Sequence, residues 1–515
     1  MYGHTPLQVI SGGFANRQSS IVNQYGNIKT IVIIPSTVKL MNEQLPYSFT
    51  EPIIYSNPAR ALTHSETFRI LLFWFLHIPL GLVVRLNSVA ATLHAGLVLG
   101  LGLFVLFRNR RPEHLIYVVC YIAAAEPLWR TRAYVNYEFS KYAVSFLLIL
   151  AAILQQRLLK ANKLPILYFL LLLPAILVLP AFDREAISFN LSGPFTIAVA
   201  VFYFSTVRLD RRQMKNLLYI VVAPIVAVAG IAFFSIMTAD QLTFVQASNN
   251  LAAGGDGANQ ISAMLGLGAV LAFSAAVTYN EHRLLRLAFF GLTVWFLSQS
   301  ALTFSRGGLF AAVGAIGLAY FLLLQDRQLR GTLLFWSIIF AGLGGLVFFP
   351  LLDNFTGGQL SLRVQDPDTT GRGDVAAVDI QLFLENPWLG LGPGQSDIEH
   401  ARLFRVTRAH TEYTRMLAEH GSFGLVAMLF LFAMTVWPLL RPASVTSRSY
   451  KIIFVAWGLV TLAHVATRMA IPGLILGLGV ADLALDGEEG KATEMEKDTF
   501  SRLSFAERLQ LRMMR

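Results

Sequence analysis

The sequence predicts an all-α polytopic membrane protein, with about 12–14 transmembrane helices and one large outward loop that contains short helices. Of its 515 residues, 55% are hydrophobic and 14% are charged, whereas a soluble domain carries about 25% charged residues. Many apolar runs reach the roughly 17–25 residues that cross a bilayer. Such runs must be helical, because every backbone polar group inside hydrocarbon needs a partner in its own segment.

Fourteen apolar runs are the predicted spans. They lie near residues 68–84, 87–107, 114–128, 142–155, 164–181, 192–207, 217–238, 260–279, 287–303, 307–324, 332–352, 422–440, 452–467 and 470–485. The run 142–155 and the last two are the shortest for a crossing. The sequence thus divides into transmembrane helices 1–11 over 68–352, a large loop over 353–421 and C-terminal transmembrane helices over 422–485.

Lysine and arginine concentrate in alternate loops, such as those with Arg108, Arg157, Arg211 and Arg327. Loops rich in these residues stay in the cytoplasm. We therefore expect a cytoplasmic N-terminal segment over 1–67, a cytoplasmic tail over 486–515 and an outward loop over 353–421. The net charge of +10 follows mostly from this topology, and no basic aromatic patch accompanies it, so we expect membrane lipids and not nucleic acid as partners.

The first part of the large loop contains one predicted short helix. "DNFTGGQLSLRVQDPDTTGRGD" is polar and rich in turn residues. "VAAVDIQLFLENP" predicts a helix that begins near Thr370 or Asp374 and ends before Pro387. "WLGLGPGQSD" predicts a glycine-rich turn. Loops of this length in compact proteins tend to be functional.

The second part of the loop, "HTEYTRMLAEHG", predicts a lid helix that leads directly into a membrane span. Helical spacing puts His410, Tyr413, Thr414 and Leu417 on one face. Gly421 is placed to end this helix as its C′ residue. Tyr413 and Leu417 are expected to seat the helix against the membrane domain.

Three histidines of the loop, His400, His410 and His420, are candidates for chemistry. Their spacing does not gather imidazoles on one helix face and no cysteine lies nearby, so we expect no metal site. The Asp366–Asp368 pair around a proline could hold a divalent cation, but such a pair is typical of a turn. No nucleophile elbow is present. Acid–base catalysis by one histidine remains, and the alternative for each histidine is a solvated surface group.

Two outward arginines stand against the bias that keeps cations in the cytoplasm. Arg306 lies in "LTFSRGGLF" between two spans, and Arg372 lies in "TTGRGD" at the start of the first loop helix. A guanidinium offers a planar fork of donors that fits phosphate oxygens and stays charged in a partly apolar site. Both arginines are therefore candidate ligands of a pyrophosphate headgroup. Their alternative role is to anchor the helices at the membrane interface.

Over roughly residues 190–440 the chain resembles the O-antigen ligase family, which includes polysaccharide polymerases and protein O-oligosaccharyltransferases. The resemblance is carried by "SRGG" at a span boundary, "GRGDVAAVDIQLFLENPWLGLGPG" and "AHTEYTRMLAEHGSFGL". Family members often have His-Asn where this chain has His410-Thr411, which bears on the acceptor class. "AEPLWRTRAY", which contains Arg130, is similar to an outward motif of some relatives.

The resemblance implies a multi-pass glycosyltransferase of the bacterial inner membrane, with its active site and large loop in the periplasm. It would transfer a glycan from an undecaprenyl-diphosphate-linked donor to an acceptor hydroxyl, which for the ligase is on the lipid A-core. Arg306 and Arg372 would bind the diphosphate, His410 would be the catalytic base, and Tyr413 and Arg130 would support the site. The resemblance implies an inverting displacement without metal or cofactor.

Two other functions stay open. A polymerase of the same family, which joins a growing polysaccharide on one carrier to a repeat unit on another, shares the donor site. A transporter of polysaccharide lipids should show inverted repeats and broken helices near the membrane midplane. No matching halves are visible in the sequence, and the candidate residues concentrate in one loop.

Overall fold

A computed structural model describes residues 64–108, 112–279, 282–366, 372–404 and 411–485. Nearly all of the predicted N-terminal segment and the whole predicted tail therefore lie outside the described residues. So does His410, the predicted base.

The described chain is almost entirely helical, and every predicted span coincides with a helix. The helices before the large loop are α1 (His64–Leu86), α2 (Ser88–Arg108), α3 (Pro112–Trp129), α4 (Phe139–Leu154), α5 (Leu164–Leu170) with the 3₁₀ turn Leu173–Val178, α6 (Arg184–Phe204), α7 (Arg211–Met237), α8 (Ala258–Thr278), α9 (Arg283–Leu302), α10 (Arg306–Leu323), and α11 (Arg327–Leu343) with the π-helical turn Gly344–Phe348 and α12 (Phe349–Phe355). The later helices are α13 (Gln359–Gln365), α14 (Arg372–Glu385), α15 (Gln395–Phe404), α16 (Glu412–Val436) with the 3₁₀ turn Trp437–Leu440, α17 (Val445–Leu462) and α18 (Ile471–Val480).

The helix lengths confirm the fold class. Among the described residues, 9 helices are long and apolar enough to cross a membrane, and Phe139–Leu154, Leu164–Val178 and Ile471–Val480 are shorter apolar helices. The chain is therefore an all-α polytopic membrane protein. The two strands of the described chain, β1 (Arg208–Asp210) and β2 (Asp482–Ala484), form one short parallel pair with Leu209 opposite Leu483.

Helix α8 lies at the centre of the bundle, and its most apolar stretch is entirely buried. It packs against α9 and α10. Two glycines allow the close approach of its neighbours: a Cβ at Gly266 would lie 2.7 Å from the Gly308 carbonyl oxygen, and one at Gly268 would lie 2.6 Å from Ile225. Small residues at helix crossings are how membrane helices gain packing contacts. The α8–α10 crossing fixes the start of α10, where Arg306 lies.

Loops that alternate along the sequence meet at opposite ends of the bundle. At one end, residues of predicted cytoplasmic loops contact the ends of predicted spans: Arg157 donates to the Thr206 carbonyl oxygen and Arg208 lies 3.6 Å from Asp482. At the other end, the predicted outward Arg130 donates to the Arg468 carbonyl oxygen. The contacts agree with the predicted alternation, while the side that faces the periplasm stays a prediction.

The large loop is more helical than predicted. The prediction of a turn-rich stretch is wrong for Gln359–Gln365, which forms α13 because Asp353 and Thr356 accept hydrogen bonds from the backbone N–H groups of Ser361 (2.8 Å) and Leu360 (3.1 Å). Helix α15 was also not predicted. Its polar sequence carries no clear apolar period, and it is held in place by tertiary contacts described below.

Candidate active site

Arg306 is the first residue of α10 and lies directly after a backbone reversal. Phe304 has φ +57°, in the left-handed region that non-glycine residues seldom adopt. Ser305 does not cap α10 with its side chain; its hydroxyl donates to Asn259 Oδ1 at 2.7 Å. The Arg306 guanidinium donates to the Asp366 carbonyl oxygen, and its Nη1 lies 3.6 Å from Asp366 Oδ2. The first turn of α10 is thus joined to the end of α13.

Arg363, on α13, is a third arginine at this place, and it was not among the predicted site residues. Its side chain is 4% exposed. Its Nε donates to the Phe304 carbonyl oxygen at 3.2 Å and its Nη1 donates to the Gln246 carbonyl oxygen at 2.8 Å. Nη1 also lies 3.4 Å from Asp366 Oδ2. Arg363 therefore braces the reversal that presents Arg306. Arg363, like Arg372, is an arginine in a loop that is predicted to face outward, and this feature could have identified it.

Arg372 is the first residue of α14, and its side chain reaches Asn259, which also contacts the start of α10. Its Nη2 donates to Asn259 Oδ1 at 3.4 Å, the atom that also binds Ser305. Burial, and then the positive charges of Arg306 and Arg363, lower the pKa of Arg372. Within the described part of the chain, no carboxylate lies at ion-pair distance from it. Since guanidinium groups stay protonated, three positive charges converge here.

Arg306, Arg363 and Arg372 form an arginine cluster, in which three guanidinium groups converge. Its one described carboxylate is Asp366, which is shared between Arg306 and Arg363. Guanidinium groups that converge in this way offer several hydrogen-bond donors, which suit an anion with several oxygens such as phosphate. Asp366 faces arginines here, which does not suit the divalent-cation role considered from the sequence; Asp368 lies outside the described residues. Among described residues, no group of three or more metal-binding side chains is present.

The charged segment before the last long span is buried in an ion-pair network. Arg415 lies 2.5 Å from Glu412 Oε1 and 2.8 Å from Glu419 Oε2, and it donates to Asn190 Oδ1 of α6 at 3.0 Å. Glu412 also accepts hydrogen bonds from the backbone N–H and the hydroxyl of Thr467, at 3.2 and 3.1 Å. The network ties the start of α16 to α6 and to the turn that follows α17.

Two of the three candidate loop histidines, His400 and His420, are buried. His400 is 0% exposed, and its Nε2 lies 2.9 Å from Asp379 Oδ1. The other carboxylate oxygen, Asp379 Oδ2, accepts a hydrogen bond from the Thr414 hydroxyl at 2.6 Å. These contacts join α14, α15 and α16. Burial lowers the pKa of His400, but Asp379, with Asp397 and Glu419 nearby, outweighs it and the pKa is raised. His420 is likewise buried, at 1% exposure. The alternative role of a solvated surface group is therefore wrong for both histidines.

Glycines explain the "PWLGLGPG" and "EHG" motifs. Gly421 has φ +58° and ψ −139°, a kink inside α16 where the predicted lid helix ends. Gly390 has φ +68°, and a Cβ there would lie 2.4 Å from the backbone of Glu419. Across this contact the N–H groups of Leu391 and Gly392 donate to the carbonyl oxygens of Ala418 and Glu419, both at 3.0 Å. The glycine turn thus pairs with the end of the lid helix.

The two predicted supporting residues, Tyr413 and Arg130, contact other parts of the helix bundle. The Tyr413 hydroxyl donates to the Leu459 carbonyl oxygen at 2.7 Å, and its ring stacks on Phe432 at 5.7 Å, which seats the lid helix against the bundle. Arg130 is buried, ion-paired with Glu126, and donates to the Arg468 carbonyl oxygen at 2.6 Å. Arg130 positions the backbone near the site and does not join the arginine cluster.

Residues 292–429 match the family model described as O-Antigen ligase. The match contains Arg306, Arg363 and Arg372, the described lid helix and the kink at Gly421. It confirms the resemblance to the O-antigen ligase family and supports a membrane glycosyltransferase of the ligase or polymerase type. No curated protein matches the chain.

Proposed function

We propose that the protein transfers a glycan from an undecaprenyl-diphosphate-linked donor to an acceptor hydroxyl, as an O-antigen ligase does with the lipid A-core, at the periplasmic face of the inner membrane. The observation that carries the proposal is the arginine cluster inside the segment that matches the O-antigen ligase model. A glycosyl diphosphate is already a good leaving group. What the protein must supply is stabilisation of the charge that develops on the diphosphate, and a base for the acceptor.

Arg306 and Arg372 are the ligands of the diphosphate in this proposal. They approach from α10 and α14, and Asn259 lies between them as a shared hydrogen-bond acceptor. Two forks that converge from different helices can bind oxygens of both phosphates, which a single cation cannot do. The lipid tail of the donor would extend into the membrane below the loop.

His410 is the proposed base. Glu412, two residues later, is buried and held by Arg415 and Thr467. A small cavity beside Glu412 is lined by Phe189, Asn190, Asp397, Arg415, Ala466, Thr467 and Arg468. The cavity is about large enough for one water molecule.

In the proposed reaction the acceptor hydroxyl gives its proton to His410 as its oxygen bonds to the anomeric carbon. The bond from that carbon to the phosphate oxygen breaks, and its electron pair passes to the diphosphate held by the arginines. One displacement inverts the anomeric centre. No step uses a metal ion.

The test is a transfer assay with purified protein and purified lipid-linked donor. Arg372→Lys keeps the charge but loses the two-pronged donor geometry, so we expect it to lose most activity. Arg306→Ala should do the same, and His410→Ala should lower the rate about 10²–10⁴-fold. Arg402→Lys, at an exposed position of the same loop, is the matched control. A chelator should have no effect. Full activity of His410→Ala, or loss of transfer on chelation, would refute the metal-free histidine mechanism.

The runner-up function, a polymerase, uses the same donor site. The assay separates the two functions by the acceptor supplied. Transfer to lipid A-core but not to a second lipid-linked repeat unit identifies a ligase, and the reverse identifies a polymerase.

A further inference from the structure

His464 is a buried histidine next to the arginine cluster, in the turn between α17 and α18. Its side chain is 5% exposed. Nδ1 lies 3.2 Å from the Val460 carbonyl oxygen. A carbonyl only accepts, so this contact places the proton on Nδ1 and leaves Nε2 as the open ring nitrogen. In the described part of the chain, Nε2 is buried and has no hydrogen-bond partner.

The ring of His464 lies against the first turn of α10. A Cβ at Gly307 would lie 2.6 Å from His464 Cδ2 and 2.8 Å from Cγ, so only glycine permits this contact. Gly307 directly follows Arg306. Arg372 is also close enough for its charge to act on the ring. The imidazole therefore packs on the residue that follows Arg306, and it lies within electrostatic range of Arg372.

The turn that carries His464 is held in a strained conformation. Ala466 has φ +55°, which costs energy for a residue with a Cβ. Three polar anchors hold it: Glu412 accepts from Thr467, Glu126 accepts from the Ala470 N–H at 2.7 Å, and Arg130 donates to the Arg468 carbonyl oxygen. Strain of this kind persists only where the surroundings enforce it, and it concentrates at functional sites.

We propose that His464 is a third ligand of the donor diphosphate, which binds a proton at Nε2 when the diphosphate arrives and then donates a hydrogen bond to it. The inference rests on the proposed function. Burial, and then the positive charge of Arg372, disfavour a positive charge on the His464 ring. A diphosphate brings two negative charges and reverses that balance.

The other charged groups around the turn that carries His464 either form ion pairs or belong to the turn itself. Glu412 is paired with Arg415, and Glu126 with Arg130. Arg468 lies on the turn itself and makes its own contacts. During transfer, the electron pair of the breaking bond between the anomeric carbon and oxygen passes to the diphosphate. The protonated His464 stabilises that added charge and keeps its proton.

The test is calorimetric titration of the full-length protein in nanodiscs with farnesyl diphosphate, in buffers of different ionisation enthalpy. The wild type should take up close to one proton on binding between pH 7 and 8. His464→Phe should bind about tenfold or more weakly, as expected for loss of one charge-assisted hydrogen bond, and should take up no proton. His464→Gln, which keeps a donor without a charge, should show intermediate affinity and no uptake.

His77→Phe is the matched control. His77 is also 5% exposed, with Nδ1 2.8 Å from the carbonyl oxygen four residues earlier, but its Nε2 is bonded to Tyr121 at 3.0 Å. Its farnesyl diphosphate binding should match the wild type. Absence of proton uptake by the wild type, or unchanged affinity and uptake in folded His464→Phe, overturns the proposal for His464. If Arg306→Ala and Arg372→Ala bind farnesyl diphosphate as the wild type does, the diphosphate site itself is wrong.

Discussion

In the proposed site, Asp366 competes with the donor for the arginine cluster, and its removal should tighten diphosphate binding. Its Oδ2 lies 3.6 Å from Arg306 Nη1 and 3.4 Å from Arg363 Nη1. A phosphate oxygen that binds Arg306 would have to share or displace this contact. Asp366→Asn removes the negative charge but keeps the size of the side chain.

The magnitude follows from these distances. A unit-charge pair at about 3.5 Å interacts by roughly 1 kcal/mol in water and roughly 5 kcal/mol at an effective dielectric constant of about 20. Asp366 is 26% exposed, so solvent screens the pair, and the backbone carbonyl contact to Arg306 remains in the variant. A net gain of about 1 kcal/mol is expected, which is a roughly fivefold lower Kd.

The assay is titration of purified protein with farnesyl diphosphate at low and moderate ionic strength. Glu399→Gln is the control, because it removes one negative charge from the same loop, at the surface pair with Arg402 and away from the cluster. Asp366→Asn should bind more tightly than both the wild type and this control. Equal or weaker binding would mean that Asp366 orients the arginines for the donor and does not compete with it.

Two further predictions concern topology and pH. Reporter fusions at Arg211 and Arg327 should report the cytoplasm, and a fusion near Gln359 should report the periplasm, because arginine and lysine concentrate in alternate loops; a periplasmic signal at Arg327 would invert the proposed active face. The raised pKa of His400 means that its contact with Asp379 stabilises the loop fully below about pH 6.5 and less as the pH rises through the folded-state pKa. Amide exchange in α15 should therefore quicken between pH 6 and pH 9 by more than the intrinsic exchange rate does, and His400→Gln should remove this excess; an identical profile in the variant would show that the pair does not control the packing of α15.

The apolar pattern was sufficient for the fold because the membrane restricts the backbone to helices. Each predicted span coincides with a helix. The lid helix also ends where predicted, at Gly421, which has a positive φ. The start of α14 at Arg372 also lies within the predicted range. These features depend on local sequence: apolar period, turn residues and glycine geometry.

The candidate site was harder to predict because its contacts are non-local. Asn259 joins Ser305 and Arg372 across 113 sequence positions, and nothing in the "GANQIS" stretch marks it. His464 lies near the end of a predicted span, so its sequence context indicates the membrane and not the arginine site. The burial of His400 depends on Asp379 and Thr414 from two other helices. Periodicity within one segment carries no information about such partners.

The charged segment before the last long span has a geometric role, and this follows from the cost of burying its charges. Burying Glu412, Arg415 and Glu419 costs several kcal/mol of desolvation per ion, so such pairs add little net stability over apolar side chains. They do require one relative placement of α6, α16 and the turn after α17, because each carboxylate has its partner at 2.5–2.8 Å in only that arrangement. His400 and Asp379 fix α15 against α14 in the same way. The buried charges therefore fix the relative placement of these helices, which is a role in geometry and not in net stability.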